Sequence, residues 1–245
     1  MEVVEGVERL SPGLGPVFVV VGVFDGLHLG HAYLLGHLVA EAARDGAAPT
    51  VITFDHHPDE VLTGNAPPLL IDPEERLERL ASAGVAVTVV QHFDDDLRHT
   101  TYDAFVGRIR SRVDLRGFLM TPDAAFGFER QGTPTALASL GERDGFEVVV
   151  VPPFESDGRQ VRSSEIRERI RTGDLRGAAE LLGRPVTLTG TLGDGRLTFD
   201  LPMAVPPDGR YEVVVGGAAT TAIVARGSVA LPDVVSPGRV SVAFA

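Results

Sequence analysis

Two histidines three residues apart, His28 and His31, stand on either side of a glycine in His28-Leu29-Gly30-His31. Just upstream, Val17-Phe-Val-Val-Val21 is an unbroken apolar run rich in β-branched residues, the composition of a strand buried on both faces. Gly22 and Gly26 end that run, and apolar residues return at Leu34, Leu35, Leu38 and Val39 with helical spacing. A strand, a glycine turn and a helix start leave backbone N–H groups at the positive end of a helix dipole, a favourable place for an anion. Imidazoles three apart on a first helical turn share one face and reach the same ligand. Gly30 keeps side-chain bulk off the backbone, so a phosphate can approach. The chemistry that suits this turn is nucleotidyl transfer. A phosphate or hydroxyl attacks the α-phosphorus of a nucleoside triphosphate, and pyrophosphate leaves. Charge gathering on the equatorial oxygens is met by donors such as imidazole N–H, and no nucleophilic side chain is needed. The competing reading makes the pair local helix caps or chance zinc ligands. The preceding strand and Gly22-Val-Phe-Asp-Gly26 favour the phosphate.

Composition narrows the chemistry further. All 22 basic residues are Arg, so any mechanism built on a lysine is excluded, including that of a P-loop. There is no Cys, which removes disulfides, thiolate catalysis and cysteine metal sites. The net charge of −12 disfavours general binding to nucleic acid or anionic membranes. An acidic chain that handles polyphosphate must gather its positive charge locally and use a divalent metal. The acidic start, Met1-Glu-Val-Val-Glu5, lacks a signal-peptide pattern, and no apolar run approaches membrane-spanning length, so a cytoplasmic protein is expected.

The rest of the chain must position the turn. Residues 1–16 read as an approach segment ending in a loop. Buried strands are predicted at Thr50–Phe54, Val85–Val90, Leu115–Met120 and Phe146–Val151. Helices are predicted between them, at Asp72–Ser82, about Tyr102–Arg112 and Pro134–Asp144. The loop Leu62–Ile71, with Gly64, Asn65, Pro67 and Pro68, is expected to be mobile or to cover a ligand. This alternation predicts an α/β fold with a doubly wound parallel sheet. Ligands of such sheets lie outside the carboxyl ends of the strands, so 22–31, 54–58 and 121–127 should converge. Arg162-Ser-Ser-Glu-Ile-Arg167 starts a further helix with a serine cap, and Leu175–Leu182 follows. After Pro185, short β-prone runs form a small β unit, giving domains at 1–185 and 186–245.

Four motifs occur together in order: Gly22-Val-Phe-Asp-Gly-Leu-His-Leu-Gly-His31, Thr53-Phe-Asp-His-His-Pro58, Asp123-Ala-Ala-Phe-Gly127 and Arg162-Ser-Ser-Glu-Ile-Arg167. Over residues 1 to about 190 the chain resembles the FMN adenylyltransferase module of the prokaryotic bifunctional riboflavin kinase/FAD synthetase family, within the H-x-G-H nucleotidyltransferase superfamily. The resemblance implies transfer of AMP from MgATP to FMN, with FAD and pyrophosphate as products. It implies that His28 and His31 stabilise the triphosphate and transition state. Gly22, Val23, Phe24, Asp25 and Gly30 would shape the nucleotide turn, and His57 and Pro58 would border the flavin side. Asp123, Phe126 and Gly127 would lie near the reacting phosphates. Arg162, Ser163, Ser164 and Arg167 would hold the outer phosphates at a helix start.

Two departures matter. Arg162 and Ser164 replace a serine and a threonine of the family pattern, and Ala124 removes an aromatic residue that could stack on flavin. The C-terminal part lacks the Pro-Thr-Ala-Asn segment of the family's kinase module: Gly193-Asp-Gly-Arg-Leu-Thr-Phe-Asp-Leu-Pro-Met-Ala204 stands there instead. It reads as a shortened, decayed barrel that serves packing or assembly, with no riboflavin kinase activity. The alternatives are a related ATP- or CTP-dependent nucleotidyltransferase acting on another small phosphorylated metabolite, and a flavin- or nucleotide-binding protein without catalysis. Homo-oligomers remain open.

Overall fold

The computed structural model describes residues 1–156, 158–234 and 237–244. Packing divides the chain into two compact units. One comprises Met1–Phe24, His31–Pro67 and Leu77–Phe154, and the other Asp25–Gly30, Pro68–Arg76 and Glu155–Ala245.

The first unit is built on a parallel sheet. Its elements in chain order begin with β1 (Glu2–Glu5), β2 (Pro16–Val21), α1 (Leu29–Arg44), β3 (Ala48–Phe54) and α2 (Asp59–Thr63). They continue through α3 (Pro73–Ser82), β4 (Val87–Gln91), α4 (Asp95–Arg98), α5 (Tyr102–Arg110), β5 (Asp114–Met120), α6 (Pro134–Asp144) and β6 (Glu147–Val150). Helices α1 and α3 contribute their first residues to the second unit. The strand order is β1-β4-β3-β2-β5-β6, every pairing parallel. The chain leaves β2 toward β3 and β4, then returns to β5 and β6 on the other side. The order therefore reverses between β2 and β5, where an open α/β sheet makes its crevice.

Local causes are plain for the best-placed elements. In β2, Val17 to Val20 are all buried, as a central strand covered on both faces requires. Helix α6 has the expected bounds: Thr133 Oγ1 accepts the Ala136 N–H, Pro134 takes the first turn, and Gly145 closes it at φ 82°. The core of this unit gathers Val17, Val19, Ile52, Val89, Phe118 and Leu137.

Two expectations for this unit need correction. Residues 1–16 are more than an approach segment ending in a loop, because Glu2–Glu5 adds an edge strand beside β4. Only Val4 of that strand is buried, too thin an alternation to read in sequence. In the stretch Leu62–Ile71, the first two residues end α2, and Leu70 and Ile71 are buried in the second unit. Finally, the α1 helix starts only at Leu29, so His31 is helical while His28 belongs to the turn before it.

In the second unit, the short antiparallel strands β7 (Glu155–Ser156) and β8 (Arg159–Gln160) precede α7 (Ser163–Thr172) and α8 (Leu175–Leu182). The remaining strands are β9 (Thr187–Gly193), β10 (Arg196–Thr198), β11 (Gly209–Val215), β12 (Ala218–Ala225), β13 (Ser228–Ala230) and β14 (Gly238–Phe244). They close into an antiparallel barrel, β10-β13-β12-β11-β14-β9. Strand β13 completes the ring between β10 and β12. Alternate residues such as Leu188, Leu192, Val213, Val224 and Val242 fill the barrel interior.

This unit also holds segment Pro68–Arg76 against the barrel. Leu69 donates its N–H to Pro202 O and accepts from the Ala204 N–H, both at 2.8 Å. Arg239 pairs with Asp72 and lies 3.2 Å from Glu74, and Thr189 Oγ1 donates to the buried Glu75 carboxylate at 2.7 Å. The compact unit thus begins at Glu155 and takes in two earlier segments, whereas the barrel strands alone begin at Thr187.

Candidate functional site

The turn between β2 and α1 is strained. Phe24 and Leu27 have φ of 52° and 39°, and Gly26 has φ of 83°. Left-handed backbone costs an L-residue about 1–2 kcal/mol, so two such residues persist only where their surroundings over-determine them. At Gly26 a side chain is doubly barred, since a Cβ would come within 3.0 Å of Leu70 Cδ1.

The restraints come from far along the chain, within the second unit. Ser163 Oγ donates to Asp25 O at 2.9 Å. Arg184 donates to Gly26 O at 2.6 Å and to Leu27 O at 3.2 Å. Three successive carbonyls are thereby held by hydrogen bonds. In a trans peptide the N–H opposes the C=O, so the N–H groups of Gly26, Leu27 and His28 each point away from the donor that holds their own peptide's carbonyl. The Asp25 side chain, 2% exposed, accepts the Leu70 N–H at 2.8 Å and pairs with Arg167 at 2.5 Å. Arg167 also donates to Pro68 O at 2.9 Å. Asp25, the one acid of the turn, thus braces segment 68–70 and α7 from within.

His28 is buried, and its pKa is lowered to about 4. Loss of solvent is the largest cause; the guanidinium of Arg184 and, less strongly, that of Arg167 add to it. The imidazole is therefore neutral at pH 7, one nitrogen donating and the other accepting. Positive charge in this turn comes from arginine, not from the histidine. Gly30 fits tightly beside the ring: a Cβ there would stand 3.2 Å from His28 Cε1 and 3.5 Å from Val161 O.

The helix that begins at Ser163 corrects one expectation. Its capping position is Arg162, which makes no side-chain cap, and the Ser163 hydroxyl is used on Asp25 O instead. Arg162 donates to Gln160 Oε1 through Nε and Nη2, at 3.1 and 2.6 Å. Ser164 is in the first turn of α7 and exposed.

In the first unit, Gly22, Val23 and Phe24 follow β2, His57 and Pro58 follow β3, and Asp123 to Gly127 follow β5. These three strands are neighbours and parallel, so the segments leave from one edge of the sheet. Thr53 Oγ1 donates to Val23 O at 3.0 Å, and the Phe24 ring lies 5.1 Å from that of His31. A Cβ at Gly22 would sit 3.1 Å from the Phe24 ring. His57 Nδ1 accepts the Asp59 N–H at 3.2 Å, and Pro58 stands at the N-cap of α2. Asp123 is exposed and its Oδ1 accepts from Thr121 Oγ1 at 2.9 Å. Phe126 packs its ring 5.8 Å from those of Phe105 and Phe118, so that ring is committed to the core. Gly127 is needed for close approach, since a Cβ would meet the Tyr102 backbone N at 2.5 Å.

Sequence reasoning missed Arg184 and Leu70. Arg184 was visible in Leu182-Gly-Arg-Pro185, but nothing local says that it reaches carbonyls more than 150 residues earlier in the chain.

The sequence profile of the FAD synthetase family matches residues 12–165. A bifunctional riboflavin kinase/FMN adenylyltransferase of Haemophilus influenzae is 30% identical over 197 residues, which cover 80% of this chain and 64% of the relative. A protein of the same description from Listeria monocytogenes is 32% identical over 192 residues, 76% of this chain and 60% of the relative. The chain spans less than two thirds of the length of these relatives. A further one from Escherichia coli is 29% identical over 246 residues, 97% of this chain and 78% of the relative. A solved structure from Streptococcus pneumoniae, described as a macrolide-efflux protein, shares the fold with a TM-score of 0.81. It is 24% identical and covers 99% of this chain and 88% of its own.

Proposed function

The chain belongs to the FAD synthetase family, and from that premise we propose that it transfers AMP from MgATP to FMN, releasing pyrophosphate, without phosphorylating riboflavin. The observation that carries this reading is the braced turn 25–28. Ser163 and Arg184 hold its carbonyls, and Arg167 and the Leu70 N–H hold its carboxylate. Such a turn presents N–H groups to a triphosphate with little reorganisation. A phosphate oxygen of FMN attacks the α-phosphorus, the bond to the bridging oxygen breaks, and pyrophosphate departs with its Mg²⁺.

His28 acts as a neutral donor toward the phosphoryl oxygens, with His31 beside it in sequence on the first turn of α1. Arg184 and Arg167 supply fixed positive potential near His28. Mg²⁺ enters as part of the substrate, held by the phosphates and water. The carboxylate of Asp25 is unsuited to it, being committed to Arg167 and Leu70. His57, Pro58, Asp123 and Gly127 border the flavin side at the strand ends. Phe126 supports that border from the core, and Ser163, Ser164 and Arg162 serve the α7 end.

The barrel, in this reading, is a brace for the nucleotide turn. Pro202–Ala204 pairs with Leu69, and the adjacent Leu70 N–H grips Asp25. That use of the segment standing where the kinase motif would be supports loss of kinase activity. Small Ala124 and Ala125, together with a core-bound Phe126, favour as second reading an acceptor other than flavin. Incubation with ATP, Mg²⁺ and FMN should form FAD and pyrophosphate in equal amounts, and riboflavin with ATP should form no FMN. Turnover of a different phosphorylated acceptor with no FAD would replace the first claim by the second reading. Formation of FMN would refute the claim about the kinase.

A further inference from the structure

Within the first unit, a second cluster of chemically capable side chains stands at the carboxyl ends of β3 and β4. Phe54 and Gln91, the last residues of those strands, are partners in the ladder. Asp55 and His92 come one step beyond them, and His56 follows at once. One carboxylate oxygen of Asp55, Oδ1, accepts the backbone N–H groups of His56 at 2.8 Å and Phe93 at 3.3 Å. This fixes the carboxylate and turns Oδ2 toward two imidazoles: His92 Nδ1 at 2.5 Å and His56 Nδ1 at 3.4 Å. One ligand atom from each of the three residues lies within 4.8 Å of the other two.

We propose that Asp55, His56 and His92 bind a divalent transition-metal ion of the zinc class. Two imidazoles and one carboxylate suit Zn²⁺, Cu²⁺ or Ni²⁺, whereas Mg²⁺ prefers oxygen ligands, so the ion differs from the one that accompanies the triphosphate. Ligand atoms about 2.1 Å from a tetrahedral zinc stand about 3.4 Å apart. The Asp55–His56 separation of 3.4 Å already has that value. His92 is closer because it now hydrogen-bonds to the carboxylate; the ion would take the place of that bond, and the ring would move out by about 1 Å. The two backbone N–H groups on Oδ1 orient the carboxylate, as outer-sphere partners do at metal centres. The imidazole side chains are 44% and 65% exposed, so the ion has an open path and room for water as a further ligand. Occupancy would tie the segment after β3 to the end of β4, immediately before His57 and Pro58.

Zinc binding to the whole chain in competition with a chromophoric chelator tests the site, independently of adenylyl transfer. One Zn²⁺ is expected per chain, with affinity reduced at least about tenfold in His56→Ala and in His92→Ala, since even outer-sphere losses cost that much. Both residues are exposed, so the variants should fold, and a parallel His92→Gln variant guards against any that does not. A His28→Ala, His31→Ala chain should keep the ion. Overturning results are a parent chain that binds no Zn²⁺ at micromolar concentration, binding unchanged in the His56→Ala, His92→Ala chain, and binding that disappears with His28 and His31.

Discussion

Replacing Arg167 by alanine should destabilise the second unit far more than removal of an ordinary surface arginine. Asp25 is 2% exposed and Arg167 16%, and the two lie 2.5 Å apart. Without the guanidinium, the carboxylate keeps the Leu70 N–H but faces no cation within its pair. Breaking a buried pair on one side costs about 3–5 kcal/mol, and the partial exposure of Arg167 places this case near 3 kcal/mol. For a chain of this size, each kcal/mol lowers Tm by roughly 2–4 °C, so a fall of about 9 °C is expected. Asp25→Asn should cost less, about 1–2 kcal/mol, because the amide oxygen still accepts from Leu70 and the guanidinium retains Pro68 O. Arg167→Ala combined with Asp25→Asn removes both charges, so no unpaired carboxylate is left buried. It should therefore cost less than the sum of the single changes by about 2 kcal/mol. Urea unfolding of the four chains measures the cycle. Additive effects, or an Arg167→Ala chain within about 0.5 kcal/mol of its parent, would refute the view that this pair braces the turn.

Acid should weaken the fold through His28. Its pKa is about 4 in the folded chain against 6.5 for the free side chain. Between these values the unfolded chain takes up a proton that the folded one does not, so stability is unaffected above pH 6.5 and falls as pH drops toward 4. The gap corresponds to about 3 kcal/mol at most, and His28→Gln should flatten this part of a pH series of unfolding curves. Arg184→Gln should raise the His28 pKa, visible by NMR titration, and loosen the carbonyls of Gly26 and Leu27. Thr189→Val leaves the buried Glu75 without its hydroxyl donor and should cost about 1–3 kcal/mol in thermal unfolding. His28→Ala should lower turnover of ATP and FMN much more than it weakens ATP binding, with steady-state kinetics beside calorimetry as the check.

What could be read directly from the chain was whatever depends on near neighbours. The Val17–Val21 run identified a central strand, and Thr133, Pro134 and Gly145 delimited a helix, because capping and strand burial are properties of a few adjacent residues. The parallel α/β architecture followed from strand–helix alternation, and the H-x-G-H turn from its own spacing. Edge strand Glu2–Glu5 and barrel strand Ser228–Ala230 escaped because short, half-exposed strands exist only by virtue of their partners.

The wiring of the turn belongs to tertiary structure. Asp25 is 142 residues from Arg167 and 45 from Leu70, and Gly26 is 158 from Arg184. No local pattern encodes which distant donor reaches which carbonyl, since that depends on how folded elements bring their ends together. The sequence determined that a strand, a glycine turn and two histidines occur in the order a phosphate site needs. Folding alone decided that Ser163 braces a carbonyl rather than capping its helix, and that Arg167 serves a buried carboxylate. It also decided that His28 is neutral, because burial and the field of two arginines arise only once chain segments far apart have packed together.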